Sequence, residues 1–334
     1  MTTTTTTTDL APPTLEDILA ARRFVTASHA RTPLRRLLEA GLAAGREIFV
    51  KCEDEAEIKS FKGRGALWRM ACLSRDEARN GVITASTGNH GQGVAYAAAR
   101  VGIRSVVVVP AGSSPLKMDR IREFGAELRV SGADIGEASQ AARTAALAED
   151  MVYVEDGEDP ELMAGAATVG WEILEDLPEA EAIVVPVGGG NLIAGVALVA
   201  KRLKPAVRVI GVQSEAAPAV VRSWEARRLV EMPCATFAGG LATPFPGKLA
   251  FRVIQDLVDE MYLVSEAELR AEIRHALATR ATLLEGAAAA PFAALRRHGA
   301  DWPTRTVLIQ SGANLSLAEL EWVLASGAAS GDGS

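Results

Sequence analysis

A chain of 334 residues, 49% apolar and 23% charged, can bury one large core or two medium ones, which excludes wholesale disorder and a disulfide-stapled miniature scaffold. Lys and Arg number 35 against 42 Asp and Glu, a formal charge of −7, so the basic footprint of a nucleic-acid binder is missing. Cys52, Cys72 and Cys234 form no CxxC pair, the four histidines are scattered, and no apolar run is long enough to span a bilayer, which points to a cytoplasmic chain with no membrane partner and no zinc site.

Met1 and the threonines Thr2 to Thr8 have neither a basic region nor an apolar core, so residues 1–12 read as a disordered tail and not as a signal peptide. Short β-branched runs and Ala-rich amphipathic stretches then alternate. In chain order the pattern predicts a strand at Ile48 to Lys51, a helix at Gly63 to Ser74, a strand at Gly81 to Ala85, and a helix at Gly91 to Val101. It continues with a strand at Ser105 to Pro110, a helix at Pro115 to Phe124, a strand at Glu127 to Val130, and helices at Glu137 to Glu149 and Asp159 to Leu177. Strands follow at Ala182 to Pro186, Arg208 to Gln213 and Thr306 to Gln310, with helices at Leu192 to Leu203, Glu266 to Leu283 and Ala287 to His298. Continuous runs such as Val106-Val107-Val108-Val109 suit strands buried on both faces, hence an α/β fold with two open, twisted, mostly parallel sheets flanked by helices. Four βα units between about residues 80 and 155 form a small mobile domain, 79–154. The acidic run Glu155 to Pro160 crosses back to a large domain made of 13–78 and 155–324, and 325–334 is a flexible tail.

Small-residue loops follow three of the strands. Gly188-Gly189-Gly190-Asn191 lies between a strand and a helix, where bare N–H groups and the helix dipole favour a phosphate; a tight turn with no ligand is the alternative. The spacing of Gly188, Gly190 and Gly195 does not fit the dinucleotide GxGxxG pattern. Lys62, between Phe61 and Gly63, opens a helix, where an ammonium is electrostatically misplaced and a free amine is favoured; a solvated surface lysine is the alternative. A phosphate loop with such a lysine suggests an aldehyde cofactor held as a Schiff base. Ser86-Thr87-Gly88-Asn89-His90 bundles hydroxyls and an amide at another helix start and suits a substrate carboxylate, or else caps the helix through Ser86 or Thr87.

Ser60-Phe61-Lys62-Gly63-Arg64-Gly65-Ala66, Ala85 to Gly93, Pro186 to Gly195 and Ser311-Gly312-Ala313-Asn314, in this order and spacing, resemble the fold type II family of pyridoxal-phosphate enzymes, the serine/threonine dehydratase and serine racemase branch. The resemblance runs from about Thr14 to Leu320 and implies the tryptophan synthase β-like fold, pyridoxal 5'-phosphate and a homodimer. It implies that Lys62 carries the cofactor and acts as base at the substrate Cα, that Phe61 packs beside the ring, and that Asn89 meets the ring hydroxyl. It further implies that Gly188, Gly189, Gly190 and Asn191 cradle the phosphate, that Ser311 faces the ring nitrogen, and that Ser86, Thr87, Gly88, Asn89 and His90 bind the substrate carboxylate. A neutral hydroxyl at Ser311 favours rapid loss of a β leaving group, so the expected activity is dehydration and deamination of a β-hydroxy amino acid to a 2-oxo acid and ammonia. The rivals are an amino-acid racemase on the same scaffold, with Thr87 as proton donor opposite Lys62, and a non-catalytic cofactor-binding regulatory protein.

Departures from the family pattern sharpen these expectations. Gln213, Ala217 and Ala219 stand where metal-activated relatives place oxygen ligands, so no divalent metal is expected there. Gly239, and Gly165-Ala166-Ala167-Thr168, differ from the family near the side-chain pocket, which leaves room for a bulkier substrate such as phenylserine or one derived from hydroxyectoine. Glu285 is read either as substrate-facing or as a helix C-terminal charge. With 23 residues after Ser311, no C-terminal regulatory domain and no feedback control are expected.

Overall fold

A computed structural model describes residues 10–39 and 45–328. Its strands are β1 (Leu34–Arg36), β2 (Glu47–Cys52), β3 (Val82–Ala85), β4 (Ser105–Val109), β5 (Glu127–Val130), β6 (Val152–Tyr153), β7 (Ala182–Pro186), β8 (Arg208–Ser214), β9 (Glu260–Val264) and β10 (Arg305–Gln310). The helices are α1 (Leu15–Ser28), α2 (Lys62–Ala71), α3 (Arg75–Ala78), α4 (Asn89–Val101), α5 (Pro115–Glu123), α6 (Ile135–Ala148) and α7 (Pro160–Asp176). They continue with α8 (Asn191–Leu203), α9 (Ala219–Ala226), α10 (Lys248–Leu257), α11 (Glu266–Arg280), α12 (Gly286–His298) and α13 (Leu317–Ala328).

One sheet has six strands in the order β1-β2-β10-β7-β8-β9, all parallel except β1, which runs antiparallel to β2. The other has four parallel strands in the order β5-β4-β3-β6. The central strands β4 and β7 are buried along their whole length, because helices cover both faces of a parallel sheet. On one face of the large sheet α7 and α8 pack through Ile173, Ile193 and Val196; on the other α12 supplies Ala288, Phe292 and Leu295.

Most of the elements the sequence pattern misses are short, marginal or half-exposed; α10, which buries Leu249, Ala250, Phe251, Val253 and Ile254, is the exception. β1 has three residues and an exposed face, and β9 is an edge strand buried fully only at Val264. α1 buries a thin stripe of Ile18, Ala21 and Val25, and its start is marked by a capping box between Thr14 and Asp17. The smaller sheet holds three βα units and not four: its last strand, β6, has two residues and leads directly into the crossing to α7. The expected tail 1–12 lies outside the described residues up to residue 9, and the tail 325–334 does so from residue 329. Residues 325–328 instead complete α13, because Val323 is buried and Arg274 Nη1 donates to its carbonyl at 2.8 Å.

Candidate active site

The C-terminal ends of β3, β7 and β10 open onto one cavity of about 450 Å³ between the two sheets. Every residue singled out for chemistry lines it: Phe61 and Lys62, Ser86 to His90, Gly188 to Asn191, and Ser311. A short antiparallel bridge brings the first and last of these together. Phe61 N donates to Ser311 O at 3.1 Å, and Ala313 N donates to Lys59 O at 3.0 Å, so the loop before α2 is stapled to the loop after β10.

Four helices begin on the cavity wall with no side-chain cap from the residue before them: α2 after Phe61, α4 after Gly88, α8 after Gly190 and α12 after Glu285. Ser86 Oγ accepts from Gly88 N at 3.1 Å in the loop and does not cap α4. The N–H groups at the starts of α4 and α8 are left uncapped with a helix dipole behind each, an arrangement that suits an anion. In the glycine loop each residue has its own reason for lacking a side chain. A Cβ at Gly188 would lie 2.3 Å from Gly240 O, and Gly190 has φ +100° with Ile254 Cδ1 2.7 Å from its Cβ position. A Cβ at Gly189 would meet no protein atom within 4 Å; what a side chain there would occupy is cavity. Three polar atoms in the cavity lining are buried without a protein partner, Ser311 Oγ, Asn191 Oδ1 and Gln92 Oε1.

Lys62 Nζ forms an ion pair with Asp156 and lies 5.1 Å from the centre of the Phe61 ring. Burial works to raise the Asp156 carboxyl, but the Lys62 ammonium outweighs it and holds the group below its ordinary value. His90 is fully packed; burial lowers its pKa and keeps the ring neutral, and Nε2 sits 3.2 Å from Val154 O, so the ring donates there as the Nε2–H tautomer. Asn89 Nδ2 donates to both oxygens of Glu285 at 2.9 and 3.0 Å, and Asn89 Oδ1 accepts from Asn314 Nδ2 at 2.7 Å. Glu285 also accepts from Asn314 N at 3.2 Å; its burial pushes the carboxyl pKa up despite these bonds. Lys117 on α5 reaches Glu319 on α13 at 2.9 Å across the cavity wall.

Behind the cavity α2 is anchored by a buried charge network. Arg64 Nε and Nη2 donate to Glu53 at 2.8 and 2.9 Å, and Nη1 donates to Glu172 Oε1 at 2.7 Å. Lys51 Nζ donates to Glu172 Oε2 at 2.6 Å and to Thr32 O at 2.7 Å. Two cations meet two carboxylates, so the cluster is neutral as a whole.

Two expectations change, and one residue was overlooked. Glu285 is the residue before the first turn of α12, not a helix C-terminal charge, and its carboxylate faces Asn89. Gly165 to Thr168 do not line the cavity: they pack α7 against α2, where a Cβ on Gly165 would lie 2.6 Å from Arg64 O, and Thr168 Oγ1 accepts from Arg64 at 3.2 Å. Gly239, by contrast, is on the cavity wall. The sequence pattern missed Asp156 altogether. It sits in an acidic run that reads as a solvated crossing, and no spacing marks it, since its partner is 94 residues away. Gln213 is buried and accepts from Val220 N and Val221 N at 3.0 and 3.1 Å.

The family model described as pyridoxal-phosphate dependent enzyme matches residues 25–312. Among curated proteins the chain is 40% identical to an L-threonine ammonia-lyase of Geobacter sulfurreducens over 285 residues, 85% of this chain and 71% of that one. It is 33% identical to the catabolic L-threonine dehydratase of Escherichia coli strain K12 over 93% of this chain and 96% of that one. Among solved structures, the processed threonine deaminase isoform 2 of Solanum lycopersicum superposes with a TM-score of 0.85 at 32% identity, covering 94% of each chain. Maize serine racemase superposes with a TM-score of 0.88 at 27% identity, covering 96% of this chain and 99% of that one.

Proposed function

Because the chain belongs to the pyridoxal-phosphate dependent enzyme family, we propose that it is an ammonia-lyase that dehydrates and deaminates β-hydroxy amino acids of the serine/threonine type. One observation carries the reading: a lysine amine, an uncapped glycine loop and an unpartnered buried hydroxyl share one cavity.

The residues present fit the cofactor. The α8 loop offers bare N–H groups beside open space at Gly189, as a phosphate requires, and Ser311 Oγ is a buried hydroxyl in want of a partner. Lys62 would hold the aldehyde carbon, Gly188 to Asn191 the phosphate, and Ser311 the ring nitrogen. When bound, pyridoxal phosphate supplies an electron sink for the bond pair released at the substrate Cα.

The chain's own groups would do the rest. The Ser86 to Asn89 loop and the open start of α4 bind the substrate carboxylate and fix Cα beside Lys62. The Nζ lone pair takes the Cα proton. The β-hydroxyl departs with its bonding electrons and takes up one proton to leave as water, which balances the proton that Nζ took from Cα. The enamine product hydrolyses in solution to a 2-oxo acid and ammonia. We place the side-chain subsite at Gly239, where a Cβ would meet nothing within 4 Å, so a β-aryl or other bulky β-hydroxy amino acid has room beside serine and threonine. A cytoplasmic homodimer completes the reading, and light scattering reads the assembly.

The test is a panel: purified holoprotein with L-serine, L-threonine and L-threo-phenylserine, scored for ammonia and 2-oxo acid. Release of both in equal amounts is expected. Inversion of serine without ammonia would replace the lyase by a racemase working through Thr87, whose hydroxyl makes no hydrogen bond among the described residues.

A further inference from the structure

No step of the proposed reaction uses Asp156, yet its carboxylate contacts Lys62 Nζ. The other charged groups of the cavity are committed elsewhere. Glu285 is held by Asn89 and by Asn314 N, and Lys117 by Glu319. His90 turns Nε2 to Val154 O and is neutral. Lys62 Nζ also lies over the Phe61 ring, 5.1 Å from its centre.

A lysine that takes a proton from carbon must pass through an ammonium, at the start of a helix whose dipole opposes that charge. An anion in contact with Nζ offsets this cost, and a carboxylate and an aromatic ring near Nζ limit where the amine can point. We propose that Asp156 is a positioning residue for Lys62: it receives the lysine ammonium whenever the amine is free and holds it at the cavity wall beside the phosphate loop. The proposal rests on the lyase reading for its catalytic consequence, but the ion pair itself does not.

The two are separated by testing the cofactor-free protein first. Wild type, Asp156→Asn and Asp156→Glu are treated with acetic anhydride at neutral pH, and acetylation of Lys62 is measured by peptide mass spectrometry against the other lysines. Loss of the carboxylate should raise Lys62 labelling roughly three- to tenfold in D156N, with D156E close to wild type. In the holoenzymes D156N should lower kcat roughly tenfold with KM changed less than about twofold, and D156E should restore part of the loss. Unchanged labelling in D156N overturns the proposal, and so does raised labelling with unchanged kcat. A wild-type protein that releases no 2-oxo acid sinks the lyase reading instead, and the labelling then decides alone. Asp156 is partly exposed and packs no core, so neither variant should threaten the fold.

Discussion

At the scale of single residues the cavity is organised by polar pairs that cross the gap between the two sheets. Glu285 and Asn89 illustrate what such a pair constrains. Both carboxylate oxygens accept from one amide nitrogen of the half-buried Asn89, which fixes the amide against the buried carboxylate. Glu285→Gln places an amide donor against the Asn89 donors or loses the bond to Asn314 N, so one buried group goes unpaired. A loss of about 1–3 kcal/mol is expected in the unfolding free energy of the cofactor-free protein, measured by urea titration. An unchanged value would mean that Asn89 is held by Asn314 alone.

The helix start is the element that matters most. α4 and α8 each begin at the cavity with bare N–H groups, and α8 follows a loop whose glycines differ in what they tolerate. Gly190 cannot accept a side chain, since φ +100° and the nearby Ile254 both oppose it. Gly189 is the informative position, because a methyl group there meets no protein atom. Gly189→Ala should leave the thermal stability of the cofactor-free protein within about 0.5 kcal/mol of wild type. It should weaken cofactor binding roughly tenfold or more, read as the cofactor dependence of the visible absorption, if the phosphate occupies that space. Helix and strand identity were legible in the chain wherever an apolar run was long, as in β4, β7, α7 and α8. They were lost where tertiary packing carries a short element, as in β1, β6 and α3, and where the apolar stripe is thin, as in α1.

At the scale of the whole molecule, the wall that carries Lys62 is held by a charge network buried between β2, α2 and α7. Burial alone would push the Glu172 carboxyl up, yet Arg64 and Lys51 hold it down at about 2, against 4.5 for the free group. A carboxylate depressed in the folded state stabilises the fold fully above the ordinary value and loses that contribution as the pH falls towards the folded one. The network should therefore give up of order 3 kcal/mol between pH 4.5 and 2, seen as a steep acid limb in urea unfolding. Glu172→Gln leaves Lys51 and part of Arg64 unpaired, so it should cost about 3–5 kcal/mol at neutral pH and flatten that limb. A limb as steep as in wild type would move the acid sensitivity to other carboxylates.

The amino-acid sequence by itself determined the parallel α/β architecture, the glycine loop after β7 and the lysine at the start of α2. Each is written in consecutive residues, through a β-branched run, a string of glycines or a helix boundary, and local backbone preferences act over that range. Only the tertiary structure decided that Asp156 faces Lys62 across 94 positions and Glu285 faces Asn89 across 196, and that α7 carries a packing surface and no pocket wall. Charge and hydrogen-bond partners of this kind leave no periodic trace in a chain, because their energy depends on distance and burial, which exist only once the two sheets have closed around the cavity.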